Sequence, residues 1–218
     1  VPAGILIGVF SWAVIRWAVR EGPSIHGKRD FVGFALPIGP ERRSLEALLL
    51  RVRENQWSLS DLEWAESGST PMSPILNRLL NHVIYIEEIA GLNFELLRRA
   101  SEDPTLKELY AFYADEERRH AEGLRRFMAE NGGHLELPGL GNALVLDQFD
   151  SLKSCDEADA LLVAVSNPVF ETFLDAGTIP FLQKSSGLAS DRFDKFVDLL
   201  NRDEAAHMAT NWILIRIM

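Results

Sequence analysis

The chain has a single cysteine, Cys155, in 218 residues. That excludes an internal disulfide framework, a Cys-x-x-Cys zinc or rubredoxin-type centre, and any cysteine-ligated cluster. A reducing compartment is compatible with this. Basic residues are also scarce: 22 Lys and Arg stand against 32 Asp and Glu, for a formal net charge of -10. Nucleic-acid binding needs a basic face, and this balance argues against one. Neither a low-complexity tract nor a repeat of solenoid period is present. A clean apolar run of membrane length is lacking too. The nearest approach is 1–19 (VPAGILIGVFSWAVIRWAV), which Arg16 interrupts and Arg20 closes, whereas a spanning helix wants about 20 apolar residues. Two readings of residues 1–20 stay open: a membrane-anchoring or interfacial helix, and a helix packed on the rest of the protein. The chain opens on Val1 rather than methionine, as a fragment or a processed form would.

With 47% hydrophobic and 25% charged residues, the composition is that of a globular protein long enough for one well-buried domain. Glycine and proline crowd residues 21–40 and predict an irregular connector. Residues 41–55 predict a short helix with Leu45, Leu48, Leu49 and Val52 on one face. Residues 55–64 (NQWSLSDLEW) predict turns covering one end of a helical bundle. From residue 73 onward there are four long helical patterns. The first starts at Ser73-Pro74 and the second at Asp103-Pro104, each a capping residue followed by proline at the first helical position. The second stops at Asn131-Gly132-Gly133. A long connection leads to a third helix over about 156–183, bent at Pro168 and near Gly177 and Pro180, and the fourth starts near Ser190. The expected architecture is all-α: an N-terminal extension over 1–72, then an antiparallel four-helix bundle over 73–218 with a long crossover between its second and third helices.

Histidine is the informative rarity. Two of the five histidines follow a glutamate by three residues, in Glu117-Arg118-Arg119-His120 and Glu204-Ala205-Ala206-His207. Chance gives about 0.4 such pairs in a chain of this composition, so one copy would mean little. The spacing puts both side chains of each pair on one helical face, and that face is the apolar seam. The seams read Leu76, Leu80, Val83, Glu87, Ala90, Phe94, Leu97 in the first helix and Leu106, Leu109 or Tyr110, Tyr113, Glu117, His120, Leu124, Phe127 in the second. In the fourth the seam reads Phe193, Phe196 or Val197, Leu200, Glu204, His207, Asn211, Leu214. Buried carboxylates at one level need a cation or shared protons. Glu87 and Glu117 lie nearly symmetrically about the Ser101–Asp103 turn, and Glu171 and Glu204 about Ser185-Ser186-Gly187, so antiparallel helices bring all four to one height. Glu88 rivals Glu87, but its own stripe (Asn77, Asn81, Ile84, Gly91, Glu95) reads as solvent-facing. Glu171 shares its stripe with Ala164, Pro168, Leu174 and Thr178, and Asp175 one turn on can assist or substitute. The bland alternative is a set of buried Glu–His hydrogen bonds with no metal.

At these residues, over Ser73–Met218, the chain resembles the ferritin-like superfamily of di-iron carboxylate proteins. That superfamily spans rubrerythrins, bacterioferritins, acyl-carrier-protein desaturases, multicomponent monooxygenases and ribonucleotide reductase small subunits. The resemblance implies that Glu87, Glu117 and His120 hold one metal and Glu171, Glu204 and His207 the other, with Glu117 and Glu204 bridging and central to catalysis. It also implies that the acids preceding each motif, Glu116 and Asp203, bond the opposite histidine and fix its tautomer. A solvated helix charge is the alternative for both, and Asp115 competes with Glu116. Tyr113, one turn before Glu117, reads as a redox or hydrogen-bonding residue or as a core tyrosine. Four carboxylates and two imidazoles suit iron, manganese or a mixed pair.

The resulting expectation is a di-iron oxygenase or oxidase that uses dioxygen to oxidise, hydroxylate or desaturate an organic, apolar substrate. Residues 1–19 and Phe94, Phe127, Phe170 and Phe173 are candidates for lining the substrate pocket. An external electron donor such as a ferredoxin or flavin reductase is implied, since the chain has no redox centre beyond the site. The alternatives are a ferroxidase or other iron-handling protein, a rubrerythrin-like peroxide reductase, and a bundle that keeps its metal as a staple. A homodimer is compatible with the pattern, as is a cytoplasmic location, with membrane association resting on residues 1–20.

Overall fold

Helix initiation follows the chemistry of the termini. In the computed structural model, which describes residues 40–64, 72–140, 142–143, 146–147 and 191–217, the Ser73 hydroxyl accepts the Leu76 N–H ahead of Pro74. The Asp103 carboxylate likewise accepts the Thr105 and Leu106 N–H groups ahead of Pro104. These caps satisfy amides that have no partner within the first turn, and proline costs nothing there because its missing N–H is not needed. The helices are α1 (Pro40–Glu54), α2 (Pro74–Ala100), α3 (Pro104–Glu130) and α4 (Asp191–Ile217), and no strand occurs among the described residues. Helices α2, α3 and α4 correspond to the first, second and fourth helices of the expected bundle. α3 ends as Gly132 turns to φ 68° and Gly133 N–H reaches back to the Met128 carbonyl.

α2 and α3 form an antiparallel hairpin, as Asn81 meets Met128 near one end and Phe94 meets Tyr113 toward the other. α4 runs antiparallel to α3, with Arg192 against Glu130 and Thr210 against Tyr113. α1 lies over the Tyr110 end. Its Leu45, Leu48, Leu49 and Val52 join Phe94, Leu97, Leu106, Leu109, Tyr110 and Leu214 in one apolar layer. A second layer at the far end holds Leu80, Val83, Ile84, Leu124, Phe127, Phe193, Phe196 and Leu200. Each large side chain fully buried there contributes about 1.5–3 kcal/mol. The buried ionisable residues lie between the two layers, so water is kept from them on both sides.

Two segments differ from the sequence expectation. Residues 55–64 cover the far-end apolar layer, which Trp57 and Leu62 join, but do so as a strap along α3 and α4. Trp57 reaches Asp203, Lys195 holds the Asp61 carbonyl, and Trp64 packs on Phe127. Three anchors spaced along two helices decide this path, and none is visible in local turn propensity. The supposedly solvent-facing stripe of α2 is the other correction. Asn77, Asn81 and Ile84 are buried: the first residues of the crossover lie on the two asparagines, and Ile84 joins the far apolar layer. Asn77 Oδ1 accepts His134 N–H, Asn81 Oδ1 accepts Glu136 N–H, and Asn81 Nδ2 donates to the His134 carbonyl. The two amides thus serve an irregular backbone as a strand partner would. A side chain at Gly133 would strike Met128 and Asn77, so glycine lets the crossover approach.

The expected third bundle helix over 156–183, with Glu171, Asp175, Phe170 and Phe173, lies outside the described residues, as do residues 1–39. Among the described residues no helix is long and apolar enough to cross a membrane.

Candidate metal centre

Glu87 of α2, Glu116, Glu117 and His120 of α3, and Asp203, Glu204 and His207 of α4 are all buried, both histidines completely. Helical periodicity explains their direction: Glu87, Glu117, His120, Glu204 and His207 sit on the seam that carries the two apolar layers, and Glu116 and Asp203 stand one residue before it. The structure therefore brings together five of the six sequence-derived ligand candidates, and the sixth, Glu171, lies outside the described residues.

The two imidazoles are held reciprocally. His120 Nε2 on α3 is 3.1 Å from Asp203 Oδ2 on α4, while His207 Nε2 on α4 is 3.0 Å from Glu116 Oε2 on α3. An ionised carboxylate only accepts, so each Nε2 carries the hydrogen and donates it. The acids are themselves pinned. Trp57 Nε1 donates to Asp203 Oδ2 at 2.7 Å, and Gln56 Nε2 donates to Glu116 Oε1 at 2.6 Å. Arg119 Nη2 lies 3.4 Å from Asp203 Oδ2 and 3.8 Å from Glu116 Oε1, and so faces both.

With Nε2 protonated, neutral imidazole presents a lone pair at Nδ1, and both Nδ1 atoms face carboxylates. His120 Nδ1 is 3.4 Å from Glu87 Oε2, 3.3 Å from Glu204 Oε1 and 3.7 Å from Glu117 Oε2. His207 Nδ1 is 3.1 Å from Glu204 Oε2 and 3.2 Å from Glu117 Oε1. Glu117 and Glu204 each turn one oxygen to His120 and the other to His207. Acceptors facing acceptors repel, so a cation or protons must sit among them.

The electrostatics agree. Burial and the neighbouring Glu117 charge push the Glu87 carboxyl well above the usual carboxylate range. Burial acts the same way on Glu117, but the neighbouring His120 and His207 imidazoles outweigh it and hold that carboxyl low. Burial also disfavours charge on the imidazoles. Asp203, Glu117, Glu204 and Glu87 overcome it at His120, and Glu204, Glu116 and Glu117 at His207, so both rise well above the usual imidazole value. Asp203 is held low against its own burial by His120, Trp57 and Arg119.

Donor chemistry favours a metal over protons alone. Glu87, Glu117, His120 and Glu204 each offer one ligand atom, and these four atoms lie within 4.8 Å of one another. Two buried atoms of that group, His120 Nδ1 and Glu117 Oε2, have no hydrogen-bond partner. A proton network leaves such atoms costly, at about 1–3 kcal/mol each, whereas a bound cation would use both. The buried cluster can hold a metal ion.

The other sequence-derived candidates have distinct places. Glu116, not Asp115, faces His207; Asp115 is exposed and pairs with Arg118. Glu88, one residue round α2 from Glu87, is partly exposed and pairs with Arg125 of α3. The Tyr113 hydroxyl is 2.7 Å from Thr210 Oγ1 and 3.1 Å from the Ala206 carbonyl, and its ring lies 4.3 Å from that of His207. Phe94 packs edge-on to His207 at 4.8 Å, whereas Phe127 belongs to the far apolar layer. Sequence reasoning missed Trp57, Gln56 and Arg119. Arg119 sits inside the first Glu-x-x-His motif, but Trp57 is 146 residues from its acceptor and only folding brings them together.

Comparison with protein-family models, curated proteins and solved structures returns no match for this chain, so its chemistry is read from the geometry of the site.

Proposed function

We propose that the chain is a dioxygen-using di-iron oxidoreductase of ferritin-like architecture; Glu171 and Asp175, the sequence candidates for the second metal, lie outside the described residues. One observation carries the reading: two imidazoles, each fixed through Nε2 by an acid on the opposite helix, turn Nδ1 toward the same two carboxylates. In this reading Glu87, Glu117, His120 and Glu204 would hold one metal, and His207 with Glu117 and Glu204 would hold its neighbour. Two irons held side by side there would supply two-electron chemistry toward dioxygen when bound. Hard oxygen and imidazole donors suit iron, with manganese or a mixed pair as the chemical neighbours.

The protein groups have separable tasks. Asp203 and Glu116 keep hydrogen on each Nε2, which fixes the ring orientation and strengthens the Nδ1 donor. Trp57 and Gln56 stop those acids from turning. The apolar layers on either side exclude bulk water, which strengthens the electrostatics and protects reactive species. Phe94 and Tyr113 give the His207 side an aromatic wall, which suits an apolar organic substrate. The lone Cys155 offers no cysteine-ligated relay, so electrons would come from a separate ferredoxin or flavin reductase.

The test is anaerobic iron(II) loading, brief oxygen exposure and desalting, with iron counted per chain. About two retained irons per chain, lost in Glu117→Ala, support the reading. Many irons per chain would mean mineralisation and iron handling instead. No retained iron in the native chain overturns the di-iron assignment.

A further inference from the structure

Beside the buried carboxylates the strap frames a second concave feature. This open surface depression, of about 430 Å³, is lined by Trp57, Ser58, Leu59, Ser60, Arg119 and Arg126. Among the described residues its lining carries two guanidiniums and no carboxylate, in a chain whose net charge is -10. Arg119 also faces Asp203 and Glu116 on its inner side, and Arg126 pairs with Glu122. Both cations are positioned by indoles: Arg119 lies over Trp57 at 4.6 Å and Arg126 over Trp64 at 5.4 Å. Stacking holds the guanidinium plane and leaves its edge to donate.

Neither arginine is saturated. Arg126 pairs through Nε with the exposed Glu122. Arg119 Nε is buried without a hydrogen-bond partner, and its other contacts are long: 3.4 Å to Asp203, 3.5 Å to Gln56 and 3.8 Å to Glu116. A guanidinium has five donors and prefers a planar acceptor with two oxygens. Trp57 and Leu59 add an apolar wall, while Ser58 and Ser60 add hydroxyls.

We propose that this depression binds a small anion, a carboxylate or phosphate carried on a flat or apolar body, through Arg119 and Arg126. The same Arg119 guanidinium faces Asp203 and Glu116, so an anion that takes it loosens its hold on both acids that orient the imidazoles. Occupancy of the depression is thereby felt at His120 and His207. The anion site stands on its own depression and cations and does not depend on which metal the centre holds.

The experiment is calorimetric titration of benzoate and of inorganic phosphate into the metal-free full chain at low ionic strength, where no metal competes for either probe. Saturable binding of one probe near one per chain is expected, weakened about tenfold or more in Arg126→Gln. Circular dichroism confirms that this surface variant is folded. Tighter benzoate binding identifies a carboxylate ligand, and tighter phosphate binding a phosphate ester. No saturable binding of either probe, or equal affinity in Arg126→Gln, overturns the site. The coupling is read from the Nε2–H resonances of His120 and His207, which should move on saturation. Resonances that stay fixed while the probe binds would overturn the coupling and leave the anion site.

Discussion

Asp203 Oδ2 joins two residues that are distant in sequence, accepting from Trp57 Nε1 at 2.7 Å and standing 3.1 Å from His120 Nε2. One carboxylate thus ties the strap, α3 and α4 together at the edge of the buried Glu/His cluster. Replacing Asp203 with asparagine keeps the shape but offers an amide where an anion stood. Metal affinity should fall about 10–100-fold, measured by chelator competition, with Trp57→Phe falling less because the Asp203–His120 contact survives. Unchanged affinity in Asp203→Asn would show that the imidazole is held by its ring packing alone.

Glu87 and Glu88 are adjacent in sequence but sit on different faces of α2. Glu87→Ala should lose metal retention, since it removes one of the four converging ligand atoms. Glu88→Ala should keep it and change stability by less than about 1 kcal/mol, because its pair with Arg125 is partly exposed. Iron per chain after desalting separates the two. Equal loss in both would contradict the placement of Glu87 and Glu88 on different faces.

Protons and metal compete for the same atoms, which fixes the sign of the pH dependence. His120 and His207 are raised well above the usual 6.5 and Glu87 well above 4.5 in the metal-free chain. The stability from the histidines is full below about pH 6.5 and is lost as pH rises through their raised values. Glu87 acts in the same direction, because its folded form also holds its proton longer than the unfolded one. Glu117 is held low, so its contribution is present above about pH 4.5 and is lost as pH falls. The metal-free chain should therefore be less stable to urea at pH 9 than at pH 6.5. The loaded chain should lack that decline, because metal has replaced the protons. Loading at pH 7 in weak buffer should release acid, and a pH electrode that records none would refute this protonation scheme.

Gly123 of α3 faces the Phe196 ring of α4 so closely that an added Cβ would overlap it. Gly123→Ala should cost about 1–3 kcal/mol through overpacking, read as a lower urea midpoint. It should also weaken metal retention, because the same contact sets the separation between α3 and α4 that brings Glu117 near His207.

Much of this centre was legible in one dimension. Glu87, Glu117, His120, Glu204 and His207 stand out because helical period is a local property, and ionisable residues at seam positions contradict the burial the period demands. The caps at Ser73 and Asp103 were readable for the same reason, as each needs only the next three residues. Burial of Asn77 and Asn81 was not legible, because it depends on where the crossover lies rather than on α2 itself. Nor was the strap's course, which is set by Trp57, Asp61 and Trp64 finding partners on α3 and α4.

The sequence by itself determined which residues could share a helical face and which of those faces carried too much charge to be ordinary core. Tertiary structure alone decided that Glu116 rather than Asp115 meets His207, that Asp203 is pinned by Trp57, and that Arg119 faces both acids. The physical reason is range. Periodicity fixes direction around one helix axis, whereas the partner at the end of a side chain depends on the height, separation and rotation of a second element.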